Sequence, residues 1–435
     1  MNNYIENITF SLENIISELS ENPSLFLRNP TTDFTRNRKI DFKTLVGITM
    51  NSGGSTLSKE LLDYFDFNTN MPSVSAYTQQ RAKVLPEAFD YIFHEFTATN
   101  TKVLNLYDGY QLLACDGSNL TIAPNSKDAE TSRKSNQFGT ITNHLHLNAL
   151  YDVLNRVYVD AIVQTASEYQ EYRACIRMME RAEFQNVILL ADRGYENYNI
   201  IAHAINKGWK FLIRIKDVGS NGIASGLKLP KKDIFDVDID LILTRNQTKA
   251  KKEERYKFMP SVQMFDYLPV GSTQDYPISF RIARFKISDN SYEIVITNLD
   301  RFLFPTEKLK EIYHLRWRIE TSFRELKYAI GLTNFHAKKV DYIKQEIFAR
   351  LTLYNYCELI VSYVMANRKK QQKENQVNYT IAIYICREYL RRKRQLSPPD
   401  VITLIEKHIL PVRPGRQDPR KVKPQASVSF LYRVA

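Results

Sequence analysis

A phenol, a guanidinium, a carboxylate and an ammonium recur along Tyr313-His-Leu-Arg-Trp-Arg-Ile-Glu-Thr-Ser-Phe-Arg-Glu-Leu-Lys327 at spacings that bring them together. Read as one helix at about 100° per residue with Tyr313 at zero, Arg316 falls at about −60°, Glu320 at about −20° and Lys327 at about −40°. The four share one stripe. Ile312, Leu315, Ile319, Phe323 and Leu326 form a second stripe beside it, which reads as the buried face. Such a helix docks through its apolar stripe and presents the polar one at the edge of a core. One carboxylate among fixed cations suits metal-assisted chemistry on phosphates, because the metal needs the carboxylate and the phosphates need the cations. Helices rich in Glu, Arg and Lys are also commonly solvated and held by i,i+4 pairs, so the helix alone does not decide.

Two apolar runs upstream supply further carboxylates. Gln111-Leu-Leu-Ala-Cys-Asp116-Gly-Ser reads as a short strand closed by an Asp-Gly turn, and Asn186-Val-Ile-Leu-Leu-Ala-Asp192-Arg-Gly-Tyr195 has the same form. Either alone is ordinary turn chemistry. Together with the spacing Tyr-x2-Arg-x3-Glu-x6-Lys and the Asp-Arg-Gly-Tyr motif, in this order, the sequence resembles the DDE insertion-sequence transposases. The resemblance extends to the branch whose members excise through hairpin DNA ends, and it covers roughly residues 105 to 335.

The resemblance implies an RNase H-like catalytic core in which Asp116, Asp192 and Glu320 are catalytic and hold two Mg²⁺ ions, with Mn²⁺ as a substitute. Two-metal sites place the ions about 3.5–4 Å apart, one activating a water or a DNA 3′-hydroxyl and the other stabilising the leaving oxygen. Asp116 would bridge the ions, with Asp192 and Glu320 holding one each. Tyr313, Arg316 and Lys327 would contact DNA phosphates, and Trp317, beside the stripe, would stack on a base flipped from the element's end. The family's partner tryptophan, late in the insertion, has no match here, since the only other tryptophan is Trp209 in an apolar run. The implied activity is binding of terminal inverted repeats, metal-dependent cleavage and strand transfer by cut-and-paste through hairpin ends. The implied partners are double-stranded DNA, as transposon ends and target, and a second copy of the chain in the synaptic complex.

The rest of the chain must position these groups. At 435 residues it is too long for one small core, so several domains are expected. Residues 1–104 read as a helical N-terminal DNA-binding region, 105–217 as the first part of the core and 218–305 as a β-rich insertion. Residues 306–335 read as the helix carrying the third acidic residue, and 336–435 as a helical region with a basic tail. The strand, hairpin, helix, strand, helix, strand order from Gln111 to Ile215 gives an α/β fold. Runs at Ile239–Arg245, Pro277–Ile287 and Tyr292–Thr297 supply strands to the insertion.

A net charge of +12 points to an anionic partner, nucleic acid before membrane. No apolar run approaches the ~18 residues of a membrane span, and no signal peptide is visible at the start, so a cytoplasmic, nucleoid-associated protein is expected. Cys115, Cys175, Cys357 and Cys386 lack the spacing of a zinc site or a disulfide framework. His144 and His146 alternate on one strand face and read as sheet surface. Three helices are expected over Asp41–Thr49, Thr56–Phe65 and Ser73–Lys83, and Thr78, Gln79, Arg81 and Lys83 are groove-reading types in the last. The basic run Arg391-Arg-Lys-Arg394 and the tail cations Arg413, Arg416, Arg420, Lys421, Lys423 and Arg433 would bind DNA without catalysis. They motivate an alternative: a non-cleaving DNA-binding protein derived from a transposase.

Overall fold

The computed structural model describes residues 3–102, 105–134, 141–289, 291–368, 375–392 and 398–411. The tail cations and the last two residues of the basic run lie outside the described residues. No described helix is long and apolar enough to cross a membrane.

The chain opens with five helices: α1 (Asn3–Glu21), α2 (Phe42–Asn51), α3 (Leu57–Tyr64), α4 (Val74–Arg81) and α5 (Glu87–Asn100). Two of these helices are capped by side chains. Asp41 accepts a hydrogen bond from the Thr44 N–H at 2.7 Å, and Ser73 from the Ala76 N–H at 3.2 Å, each satisfying a donor that the first helical turn leaves free. The core follows as β1 (Gln111–Ile122), β2 (Ser132–Lys134), β3 (Ile141–Asp152), β4 (Val157–Thr165), α6 (Glu171–Arg181), β5 (Val187–Ala191), α7 (Tyr198–Asn206) and β6 (Lys210–Arg214). The insertion contributes β7 (Phe235–Thr244), α8 (Gln247–Lys252), β8 (Tyr256–Phe258), β9 (Asp275–Ser288) and β10 (Ser291–Thr297). After it come α9 (Thr306–Leu315), α10 (Trp317–Tyr328), α11 (Val340–Asn367), β11 (Asn375–Gln376), α12 (Tyr379–Arg392), α13 (Val401–Lys407) and β12 (Leu410–Pro411).

Ten strands form one sheet in the order β2-β3-β1-β5-β6-β10-β9-β7-β8, with β4 also paired to β3. β1, β5 and β6 run parallel, as the intervening helices require, and β3 runs antiparallel to β1. The insertion does not make a sheet of its own. Its β10 pairs with β6, from Val295 opposite Arg214 to Thr297 opposite Leu212, and carries the core sheet outward.

The pleat divides β1 between two cores. Leu112 and Ala114 join residues of α1, α2, α5, α10 and α11, whereas Leu113 and Cys115 join residues of α6 and α7. On the first face α11 is the spine. It is buried almost all round from Ile343 to Val364, so it is not the amphipathic helix its ends suggest. It also grips the sheet margin: Asn355 accepts the Tyr158 N–H at 2.8 Å and donates to the Tyr158 carbonyl at 2.7 Å, satisfying backbone groups that β4 would otherwise leave bare. The two helical ends of the chain therefore pack as one layer, with Thr9 bonded to Tyr356 and Arg350 bonded to the Gly53 carbonyl.

This packing corrects the groove-reading assignment of Arg81. The side chain is 4% exposed, pairs with Glu346 at 2.9 Å and donates to Gln345 at 2.8 Å. It ties α4 to α11 and does not face solvent. Two outcomes are expected. Arg81→Ala leaves Gln345 short of a buried donor and Glu346 with only Arg350 and His336, and lowers unfolding stability by about 1–3 kcal/mol in denaturant titrations. His94 gives a pH signature: burial disfavours its cation, but Asp160 at 3.0 Å and Asp90 at 3.1 Å prevail and raise it to about 9. Its contribution is therefore complete below pH 6.5 and fades as pH rises through about 9. The stability gap between wild type and His94→Gln should narrow over that interval.

Candidate active site

The two aspartates are brought together by strand register. Cys115 of β1 pairs with Ala191 of β5 in parallel, so Asp116 and Asp192 are the next residues on neighbouring strands. Here the structure differs from the strand-to-turn expectation at Asp116: β1 continues through Gly117 to Ile122, held by pairing with β3. Only β5 ends, and the vacated flank of β1 is where the site opens. Asp192 caps the short turn Arg193–Tyr195, its Oδ1 accepting the Gly194 N–H at 2.8 Å. Asp116 Oδ1 accepts the Gly117 N–H, also at 2.8 Å.

Glu320 arrives from α10. The expected single helix is two, because the hydrogen-bond ladder tightens at Arg316: its N–H bonds to the Tyr313 carbonyl and the Ile319 N–H to its own carbonyl, each three residues back. The apolar stripe is otherwise as expected, with Ile312, Ile319, Phe323 and Leu326 buried and Leu315 half-buried. The polar stripe is not uniform. Tyr313 is 2% and Arg316 3% exposed, while the Glu320 side chain is 41% exposed. Arg316 bridges two carboxylates, with Nη2 2.9 Å from Glu320 and Nη1 3.9 Å from Asp116.

The electrostatics follow from this convergence. Burial raises the Asp116 pKa, the charges of Asp192 and Glu320 add to it, and the Gly117 N–H and Arg316 oppose it; the result is about 7. Arg316 supplies positive charge beside two of these carboxylates. Their all-oxygen donor set fits a hard divalent cation, although among the described residues no three His, Cys, Asp or Glu side chains already stand together as a closed ion cage.

A buried network fixes α10 against the sheet. Tyr158 and Ser322 share a hydrogen bond of 2.8 Å, and Arg318 donates to the Val153 carbonyl at 2.7 Å. Arg156 pairs with Glu325 at 3.3 Å and with Glu358 of α11 at 3.0 Å, and Tyr354 donates to Glu325 at 3.1 Å. Lys327 donates to the Asn119 carbonyl of β1 at 3.0 Å, which keeps its ammonium on the Asp116 strand. Trp317 is 46% exposed, and the Arg316 guanidinium lies 4.8 Å from its ring centre. The Tyr313 hydroxyl is buried without a hydrogen-bond partner, and burial pushes its pKa up to about 12. A cleft of about 620 Å³ opens beside Asp192, with Arg193, Lys216 and Lys257 in its wall.

His144 bonds Thr142 at 2.7 Å and is half-buried, as sheet surface should be. His146 is a correction. It is 3% exposed, and its Nε2 lies 3.0 Å from Glu171 of α6. Neither spacing nor motif marks this pair, because β3 and α6 meet only through the fold.

Comparison with known proteins follows the same lines. The family model described as "Transposase DDE domain" matches residues 107–356. No curated protein sequence matches. Among solved structures, one titled "Cryo-EM structure of piggyBac transposase synaptic complex with hairpin DNA" aligns at a TM-score of 0.47 with 10% identity, covering 97% of this chain and 89% of that one. The family match spans both aspartates, Glu320 and most of α11, which is more than half of the chain, and by it the protein belongs to the DDE transposase family.

Proposed function

We propose that this protein is an insertion-sequence transposase that binds the terminal inverted repeats of its element, cuts the DNA and joins the freed 3′-hydroxyls to target DNA. The observation that carries the reading is the approach of Asp116 from within β1, Asp192 from the end of the neighbouring β5 and Glu320 from one pinned helix, with an arginine between Asp116 and Glu320. In this reading Asp116, Asp192 and Glu320 hold two Mg²⁺ ions, which Mn²⁺ can replace. When bound, the ions supply an activated oxygen nucleophile and stabilise the leaving oxygen. Hydrolysis and strand transfer then share one site, because water and a sugar hydroxyl present the same attacking atom.

The chain's own residues do the rest. Arg316, now spanning two carboxylates, is the nearest cation to the scissile phosphate, and Lys327 is held on the same strand by Asn119. Tyr313 is too buried to grip DNA as the site stands. Its role is to pack under Arg316, whose guanidinium lies 5.6 Å from its ring centre. The half-exposed ring of Trp317 supports base stacking over core packing, and with it excision through hairpin ends. Arg193, Lys216 and Lys257 flank Asp192 and favour a DNA strand leaving along that cleft. Pairing two ends calls for a homodimer on DNA.

Two outcomes are expected. A labelled duplex carrying the element's terminus is cut at the boundary in Mg²⁺ and not with chelator. Asp192→Ala and Glu320→Ala each lower the rate by about 10³-fold or more, the loss of several kcal/mol of transition-state stabilisation. Binding without cutting, even in Mn²⁺, would establish the non-cleaving DNA-binding reading instead. Trp317→Ala should leave the thermal midpoint unchanged and weaken hairpin formation by about 1–3 kcal/mol, read as the hairpin fraction on a denaturing gel. An unchanged hairpin fraction would remove Trp317 from the base-stacking role.

A further inference from the structure

Beside the end of β5, on the α6 side of the sheet, a second titratable pair approaches the site. His146 stands opposite Asn119 in the β1–β3 register, and its Nδ1 lies 2.8 Å from Asn119 Oδ1. Its Nε2 lies 3.0 Å from Glu171 Oε1, and its ring packs edge-on to Tyr169 with centres 4.5 Å apart. The histidine side chain is 4% exposed and the glutamate 28%. A buried imidazole thus aims a carboxylate that solvent can still reach.

Two glycines show where it is aimed. A Cβ at Gly117, next to Asp116, would lie 2.2 Å from His146 Nε2 and 2.7 Å from Glu171 Oε1. A Cβ at Gly194 would lie 3.0 Å from Asp192 Oδ1 and 3.9 Å from Glu171 Oε2. The pair occupies the space that a side chain at position 117 would fill, and the glutamate comes within ordinary contact of the turn that Asp192 caps. His146 Nε2, 3.0 Å from Oε1, approaches only one of the two oxygens of Glu171. An ionised carboxylate has about four acceptor positions, so capacity remains for a ligand.

We propose that Glu171, aimed by His146, is a fourth carboxylate of the active site and holds the attacking water or sugar hydroxyl by accepting its hydrogen bond. This rests on the transposase reading above. Glu171 acts as a positioning residue that sets the direction of attack from the Asp192 side, and His146 holds its rotamer. The buried histidine explains why a carboxylate at the first turn of α6 keeps one orientation while part of it faces solvent.

The test compares wild type, Glu171→Gln, His146→Gln and the double variant in single-turnover cleavage of the terminal duplex in Mg²⁺. DNA affinity by anisotropy and the thermal midpoint are measured alongside. Each single substitution should slow cleavage by about 10–100-fold with DNA affinity and midpoint unchanged. The double variant should be no slower than Glu171→Gln, because the two residues act as one unit. Wild-type cutting matched by Glu171→Gln overturns the proposal and leaves the transposase reading standing. A rate loss that tracks weaker DNA binding or a lower midpoint also overturns it, as that is a purely structural role. If Glu171→Gln does not fold, His146→Gln decides by the same criteria. No cutting by the wild type overturns both readings.

Discussion

Carboxylates from β1, from the end of β5 and from α10 face one another across a single arginine, and holding Asp116 there out of bulk water is the constraint on which the rest of the structure depends. Asp116 and Asp192 are adjacent because Cys115 and Ala191 are in register, and Glu320 joins them because α10 is pinned across the same face. Burial away from bulk water is the main reason Asp116 is driven up to about 7, and the charges of Asp192 and Glu320 add to it. Arg316 relieves part of the strain by bridging Asp116 and Glu320, and a 3% exposed guanidinium is tolerable there only because its partners are so close. The arrangement is poised for further positive charge, the property that metal-assisted phosphoryl transfer requires.

Holding the repelling groups falls to a second charged network behind them. Arg156, on the turn between β3 and β4, binds Glu325 of α10 and Glu358 of α11, and Tyr354 completes the connection. The spine helix α11 therefore fixes α10, the sheet margin through Asn355, and α4 through Glu346 and Arg81. The helical regions from both ends of the chain thus share one packed layer. Any DNA contact made by the N-terminal helices is rigidly referred to the site through that layer, without a hinge among these contacts.

Legibility in the sequence followed the range of the interaction. Asp116 and Asp192 stand out because a buried parallel strand writes itself as a continuous apolar run, and the residue after the run is the one at the opening. The apolar stripe of α9 and α10 is equally local. What escaped depended on neighbours far along the chain. Arg81 looks like a reader of DNA bases until Glu346 and Gln345 are seen around it. The Asp-Gly at 116–117 has turn chemistry but is held extended by β3. Tyr313 and Arg316 lie on the polar stripe of a helical wheel, yet the sheet covers them. His146 and Glu171 carry no motif at all, since only the crossing of β1, β3 and α6 makes them a pair.

The account stands or falls on whether the carboxylates take divalent ions. The direct measurement is Mn²⁺ binding to the intact protein on its terminal DNA, followed by electron paramagnetic resonance, for wild type and for Asp192→Ala. The account predicts bound manganese in the wild type, with a coupled pair signal from two ions, and loss of that pair signal in the variant. Identical manganese uptake by both proteins, or none by the wild type, would contradict a metal centre at Asp116, Asp192 and Glu320.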